Sequence, residues 1–243
     1  MKLNIYKDYN TLSSQAANEI IALVKNKPDA VLCLASGDTP RLTYAMMASK
    51  ASDEKVDFSR CTFIGLDEWV GIPPENEGSC YFFLQNQIFK PLNISASKIH
   101  LFDALSENME AECIKMDEII LEKGGIDLML VGVGMNGHIG FNEPGVPFGL
   151  YSHVIALDAT TQSVGQKYFK QSTILKHGIT LGLKHLLESR KAIVMANGKK
   201  KSEVIRKALE GAVTTDMPAS IIRKNSQGLV MLDQEAASLL KNK

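Results

Sequence analysis

Residues 126–145 read IDLMLVGVGMNGHIGFNEPG, and the architecture hinges on this stretch. Ile126–Gly132 is a continuous apolar run of strand length, the pattern of a strand buried on both faces of a parallel sheet. Gly132, Gly134 and Gly137 then match G-x-G-x-x-G, the dinucleotide fingerprint, and Asp158 lies near the spacing of its acidic partner. The fingerprint requires a helix after its third glycine. Here Pro144, Gly145, Pro147 and Gly149 break any helix within twelve residues. No dinucleotide is therefore expected. A glycine-rich irregular loop carrying His138 and Glu143 reads instead as a preorganised polar site.

On either side, further apolar runs of strand length occur at Ala30–Ala35, Thr62–Leu66, His153–Leu157, Ala192–Ala196 and Gly228–Leu232, with a weaker one at Lys98–Phe102. Helical spacing lies between them. Ala16, Ile20 and Val24 form one stripe, and Met109, Cys113, Met116 and Ile120 another, read as core. The alternation predicts an α/β fold, a Rossmann-like, mainly parallel sheet with helices on both faces. In such sheets ligands bind beyond the carboxyl ends of the strands, so the loop after each strand matters most.

After Ala30–Ala35 comes Ser36-Gly37-Asp38-Thr39-Pro40, with Thr39 as a suitable N-cap and Pro40 as the first helical residue. A glycine turn opening onto a helix presents free N–H groups to an anion. Alone, it fits an ordinary strand-to-helix turn equally well. After Thr62–Leu66 comes Asp67-Glu68, two carboxylates suited to helix capping or to proton chemistry. After Ala192–Ala196 comes Asn197-Gly198-Lys199-Lys200-Lys201 before another helix. Three lysines there have the wrong sign for the helix dipole, which a bound anion would explain better than solvation.

The 243 residues suffice for one large domain, with 45% hydrophobic and 22% charged residues. Lys plus Arg and Asp plus Glu are each 27, so no basic excess suggests a nucleic-acid partner. No apolar run reaches membrane-spanning length, and MKLNIYKDYNTL lacks the apolar segment of a signal peptide. The four cysteines form no C-x-x-C pair and read as buried free thiols, which fits a cytoplasmic protein. Neither H-x-x-x-H nor a Cys/His cluster is present, so no metal is expected. A phosphorylated small molecule undergoing proton transfer is the chemistry these loops suggest.

Together the loops make the sequence resemble the glucosamine-6-phosphate deaminase/isomerase family over nearly its whole length. LASGDTP at 34–40, LDEWVG at 66–71, GVGMNGHIGFNEPG at 132–145, ITLGLK at 179–184 and NGKKK at 197–201 carry the resemblance. The FNEP tail separates this family from its relative 6-phosphogluconolactonase, similar only up to the histidine. The resemblance implies the sugar-phosphate isomerase/6-phosphogluconolactonase fold and conversion of an amino-sugar 6-phosphate to a ketose 6-phosphate plus ammonia, with no cofactor and no metal. By position it implies Asp67 as the base at C2, His138 as the ring-opening group and Glu143 as its assistant. It further implies Ser36, Gly37, Asp38 and Thr39 as a phosphate cradle and Lys201 as the phosphate lysine.

Two positions depart from the family pattern. The aspartate two residues before the ring-opening histidine is Asn136, which could hydrogen-bond the imidazole without supplying charge, leaving Glu143 to orient it. The phosphate arginine of the glucosamine enzymes falls near Lys167, which keeps charge and loses the bidentate fork. Asn136, with KPDAVLCLASGDTP, LDEWV and GITLGLK, is most similar to the galactosamine-6-phosphate branch, implying tagatose 6-phosphate as product. Glucosamine 6-phosphate turnover is the alternative. A non-catalytic sugar-phosphate sensor and a lactone hydrolase of the same fold are two more. One domain is expected over 1–243, with 151–177 as a lid, a small-molecule partner and no membrane or nucleic acid. The homo-oligomeric state is open.

Overall fold

The computed structural model describes residues 1–241. Seven strands form the central parallel sheet: β1 Lys2–Tyr6, β2 Val31–Leu34, β3 Thr62–Ile64, β5 Ile99–His100, β6 Leu128–Gly132, β9 Ala192–Ala196 and β10 Leu229–Asp233. Their order across the sheet is β1-β10-β9-β6-β2-β3-β5. Strands β4 Asp67–Trp69, β7 His153–Ala156 and β8 His177–Thr180 form a small antiparallel sheet in the order β4-β8-β7.

The continuous apolar runs became sheet interior because successive side chains point to opposite faces. In β2, Val31 and Cys33 enter one core while Leu32 and Leu34 enter the other. Met129 and Val131 of β6 divide in the same way from Leu128 and Leu130. Helices α1 Tyr9–Asn26 and α2 Asp38–Asp53 cover the Leu32 face. Helices α4 Met109–Glu122, α6 Leu183–Glu188 and α7 Ser202–Glu210 cover the other. The stripes Ala16, Ile20, Val24 and Cys113, Met116, Ile120 are buried, as their spacing predicts, while Met109 at the start of the second is only partly buried against the core. Two short helices, α3 Cys80–Leu84 and α5 Ala159–Gly165, flank the carboxyl ends of the strands.

Three sequence readings are corrected. The His153–Leu157 run is no member of the parallel sheet. Its strand pairs antiparallel with β8, and its residues alternate between half-buried and exposed, so only one face is packed. Asp67-Glu68-Trp69 is a strand and not a loop, held to β8 by antiparallel pairing. Helix α2 begins at Asp38 with Gly37 as its N-cap, earlier than the Thr39 cap expected. Gly37 lies at φ 120°, a conformation open to glycine, so the chain turns there and not at Thr39. The edge strand β1 gave no signal because its half-exposed residues mix polar and apolar types.

The sheet order places the functional loops. From β2 the chain runs outward through β3 and β5, then crosses to β6 on the other side. Strands β2 and β6 are therefore neighbours at a topological switch point, where the loops diverge and leave a crevice. The four loops picked out in the sequence come after β3, β2, β6 and β9, four consecutive strands of the sheet.

Candidate active site

A cavity of about 610 Å³ opens above these four strand ends. Ser36, Gly37, Asp38, Thr39, Asp67, Asn136, His138, Lys167 and Lys201 all line it; Glu143 lies behind the histidine, buried.

At the end of β2, the first turn of α2 receives no capping side chain, because its N-cap is a glycine. The N–H groups of that turn remain for an anion. Lys201, beside the start of α7, approaches from the end of β9 and donates to the Val133 carbonyl at 2.5 Å. Burial, then repulsion from Lys167, lowers its pKa to about 8. Lys167 bonds Asp38 at 2.7 Å, and Arg41 also lies 3.6 Å from that carboxylate. The Asp38 side chain thus holds the neighbouring cations, while its place in the cradle comes from its backbone.

Strand β4 separates the two carboxylates, since adjacent residues of a strand face opposite ways. Glu68 turns inward and accepts the N–H groups of Trp69 (2.9 Å), Cys80 (2.9 Å) and Tyr81 (2.7 Å), the latter two in the first turn of α3. It braces the start of α3 from outside, while Ser79 is the N-cap and accepts the Phe82 N–H at 2.9 Å. Asp67 turns to the cavity. Burial and then the Glu68 charge raise its pKa to about 7, opposed by a hydrogen bond from Cys80. A carboxylate with that proton affinity suits general base work near neutrality.

In the loop after β6, the His138 ring lies against the backbone of Gly134. A Cβ on Gly134 would collide with the ring at Nε2, so any other residue would push the imidazole out of place. Nδ1 lies 3.0 Å from Thr161 Oγ1 and 3.4 Å from Glu143 Oε2. With the Nδ1 proton directed to these oxygens, Nε2 is left as the basic nitrogen. Burial alone would raise the Glu143 pKa, but His138, Thr161 and Asn136 together lower it below the usual carboxylate value. Asn136 does not reach the imidazole. Its Nδ2 donates to Glu143 Oε2 at 2.8 Å, and its Oδ1 accepts the His138 backbone N–H at 3.2 Å. Glu143 therefore faces the imidazole and Asn136 clamps Glu143. Buried Asn142 fixes the loop by donating to the Ile139 and Leu181 carbonyls at 2.9 and 2.8 Å. No helix comes after Gly137; an isolated bridge between Ile139 and Asn142 ties the loop to itself.

Three residues of the site escaped the sequence reading. Thr161 comes from α5, Cys80 from α3, and Tyr168 lies just beyond α5 with its hydroxyl near Gly37. None belongs to a motif, and each arrives by tertiary contact. Among the described residues no group of His, Cys, Asp and Glu could hold a metal ion. Among them, too, no helix is long and apolar enough to cross a membrane.

The family described as glucosamine-6-phosphate isomerases/6-phosphogluconolactonase matches residues 8–231. The chain is 40% identical over 222 residues to a glucosamine-6-phosphate deaminase of Lachnoclostridium phytofermentans, covering 91% of this chain and 94% of that protein. It is 36% identical over 244 residues to one from Clostridium botulinum strain Langeland, covering all of both chains. Among solved structures, a monomeric glucosamine-6-phosphate deaminase superposes with a TM-score of 0.95 at 35% identity, over 98% of this chain and all of that one. The 6-phosphogluconolactonase of Trypanosoma brucei shares the fold, with a TM-score of 0.76 at 18% identity over 98% of each chain.

Proposed function

Because the chain belongs to the glucosamine-6-phosphate isomerase/6-phosphogluconolactonase family, and within it to the enzymes that isomerise and deaminate amino-sugar 6-phosphates, we propose that it converts glucosamine 6-phosphate to fructose 6-phosphate and ammonia. The carrying observation is one cavity that holds an uncapped helix N-terminus, a cation, a carboxylate of raised proton affinity and a His–Glu pair.

The phosphate docks on the backbone of Ser36–Thr39 and on Lys201, with Lys167 exchanging Asp38 for the anion. His138 Nε2 takes the O1 proton and a proton is returned to the ring oxygen, opening the pyranose. Glu143 stabilises the imidazolium that forms in between. The open-chain aldehyde acidifies C2–H, and Asp67 removes that proton while O1 takes one given up by the C2 ammonium, leaving an enolamine. Asp67 then delivers the proton to C1. The resulting C2 iminium adds water and expels ammonia, leaving the ketose. General base catalysis of this kind contributes typically about 10²–10⁴-fold. The segment 151–177, bearing Thr161, Lys167 and Tyr168, acts as a lid on the sugar.

The relatives' names support glucosamine 6-phosphate as substrate. Asn136 and the motifs shared with the galactosamine branch favour a second reading, galactosamine 6-phosphate to tagatose 6-phosphate. Ammonia release from each sugar phosphate, with Asp67→Asn as control, tests both. Faster release from glucosamine 6-phosphate is expected. Release from galactosamine 6-phosphate alone gives the branch to the second reading. Binding of both sugars without release from either means a sensor.

A further inference from the structure

Asp67 is the half-buried acid on which the proton transfer depends, and its surroundings are poor in partners. Among the described residues, the titratable groups coupled to it electrostatically are Glu68 on its own strand, Cys33 on β2, Tyr44 on α2 and Cys80 on α3. None is a cation. Among the described residues, Cys80 alone makes a side-chain hydrogen bond to the carboxylate, with Sγ 3.6 Å from Asp67 Oδ1. The same sulfur accepts a hydrogen bond from Ser36 Oγ at 3.0 Å, and the Cys80 backbone N–H holds Glu68 at 2.9 Å. Cys80 is buried and lines the cavity.

We propose that Cys80 is a positioning residue for the proton transfer, its thiol joining the phosphate cradle at Ser36 to the base Asp67 and holding that carboxylate toward the sugar. This rests on the reading of Asp67 as the base. A thiol has one proton to donate. The Ser36 hydroxyl donates to the sulfur, which directs the S–H onto Asp67. When Ser36 turns its hydrogen to the phosphate, the S–H remains committed to the carboxylate. A sulfur donor is also weak. It orients Asp67 without stabilising the anion enough to spoil it as a base, which a cation or a cluster of N–H groups would do. Glu68, one residue away, shows that contrast: three N–H groups hold it, and it faces away from the cavity.

The test is the pH dependence of kcat/KM, with kcat and KM measured separately, for Cys80→Ala, Cys80→Val and Cys80→Ser beside Asp67→Asn. Loss of the donor in the alanine and valine enzymes is expected to move the acid limb up by about 0.5–1 unit. That is roughly a three- to tenfold loss of ionised base at pH 6. The loss falls on kcat, with KM changed less than about twofold. Serine, which restores a donor, moves the limb back toward the wild-type position. Valine, which leaves no cavity at the thiol's place, decides the matter if the alanine enzyme does not fold. An unmoved acid limb in the donor-free variants, or the same displacement in serine as in valine, overturns the proposal while Asp67→Asn is still inactive. Wild-type turnover by Asp67→Asn overturns the base assignment and this proposal with it.

Discussion

At the amino end of the sheet, Asp127 precedes β6 and is 3% exposed, yet its own charge is met by two cations. Its carboxylate accepts Lys27 Nζ at 2.7 and 2.8 Å, the Val31 N–H at 2.8 Å and the Arg190 guanidinium. Burial alone would raise its pKa, and these donors together bring it below the usual carboxylate value. At the carboxyl end, Asp67 has, among the described residues, a thiol and no cation as partner, and its pKa rises to about 7. Lys201, in the same cavity, meets among the described residues a carbonyl and no carboxylate, and its pKa falls to about 8. Both ends draw charge out of full solvent. The amino end pairs it, as stability requires. The carboxyl end keeps an acid and a base apart, each destabilised in its charged form, and the proposed substrate supplies what each lacks: a carbon acid for Asp67 and a phosphate for Lys201.

This contrast fails most plainly if Asp67 proves dispensable. Asp67→Asn is expected to lower kcat by about 10²–10⁴-fold in the ammonia assay while sugar-phosphate binding, followed by calorimetry, persists. Asp127→Asn should do the reverse. It strands Lys27 and Arg190 against a neutral amide and is expected to cost about 2–3 kcal/mol in denaturant unfolding, with kcat per folded molecule unchanged. That value is below a fully buried pair because both cations are partly solvated.

Lys201→Ala is expected to raise KM by roughly 10–100-fold with a smaller change in kcat, the loss of one charge-assisted contact to phosphate. In the wild type, KM should also climb above pH 8 as Lys201 loses its proton. The two acids further differ in the sign of their linkage to stability. Asp127, lowered in the fold, contributes stability above its unfolded value near 4, and that contribution disappears as pH falls through the folded value. Asp67, raised to about 7, keeps its proton in the fold between about pH 4 and 7 where the unfolded chain has released it. Stability therefore falls as pH rises across that window. Asp67→Asn removes the decline, so its melting temperature should exceed that of the wild type at pH 8 and converge with it at pH 4.

The mildest change is expected from Asn136→Asp. It sets a second carboxylate at hydrogen-bonding distance from Glu143, and the pair shares a proton. The pH profile should gain a displaced limb while kcat changes by less than about tenfold. An unchanged profile would mean that position 136 does not act on His138 through Glu143.

Most of this site was legible in sequence because its parts lie in unbroken loops after buried strands. Ser36–Thr39, Asp67, Asn136, His138, Glu143 and Lys201 each stand within a few residues of an apolar run or glycine turn that betrays them. Periodicity sufficed for the core in the same way, since side-chain alternation and the helical repeat are local properties. Position along the chain left the division of labour open. Asp67 and Glu68 are chemically equivalent neighbours in the sequence. Only pairing with β8 turns one to the cavity and the other to the amides of α3. Likewise Asn136 stands two residues from His138 yet bonds Glu143, while Thr161, 23 residues on, takes the imidazole edge. Which residues can carry charge and protons, and where the sheet must run, is set by the order of residues along the chain. Which of those charges meet a partner is set only when the chain folds. Pairing depends on distances of a few ångströms between segments far apart in the chain, and those distances set each group's proton affinity.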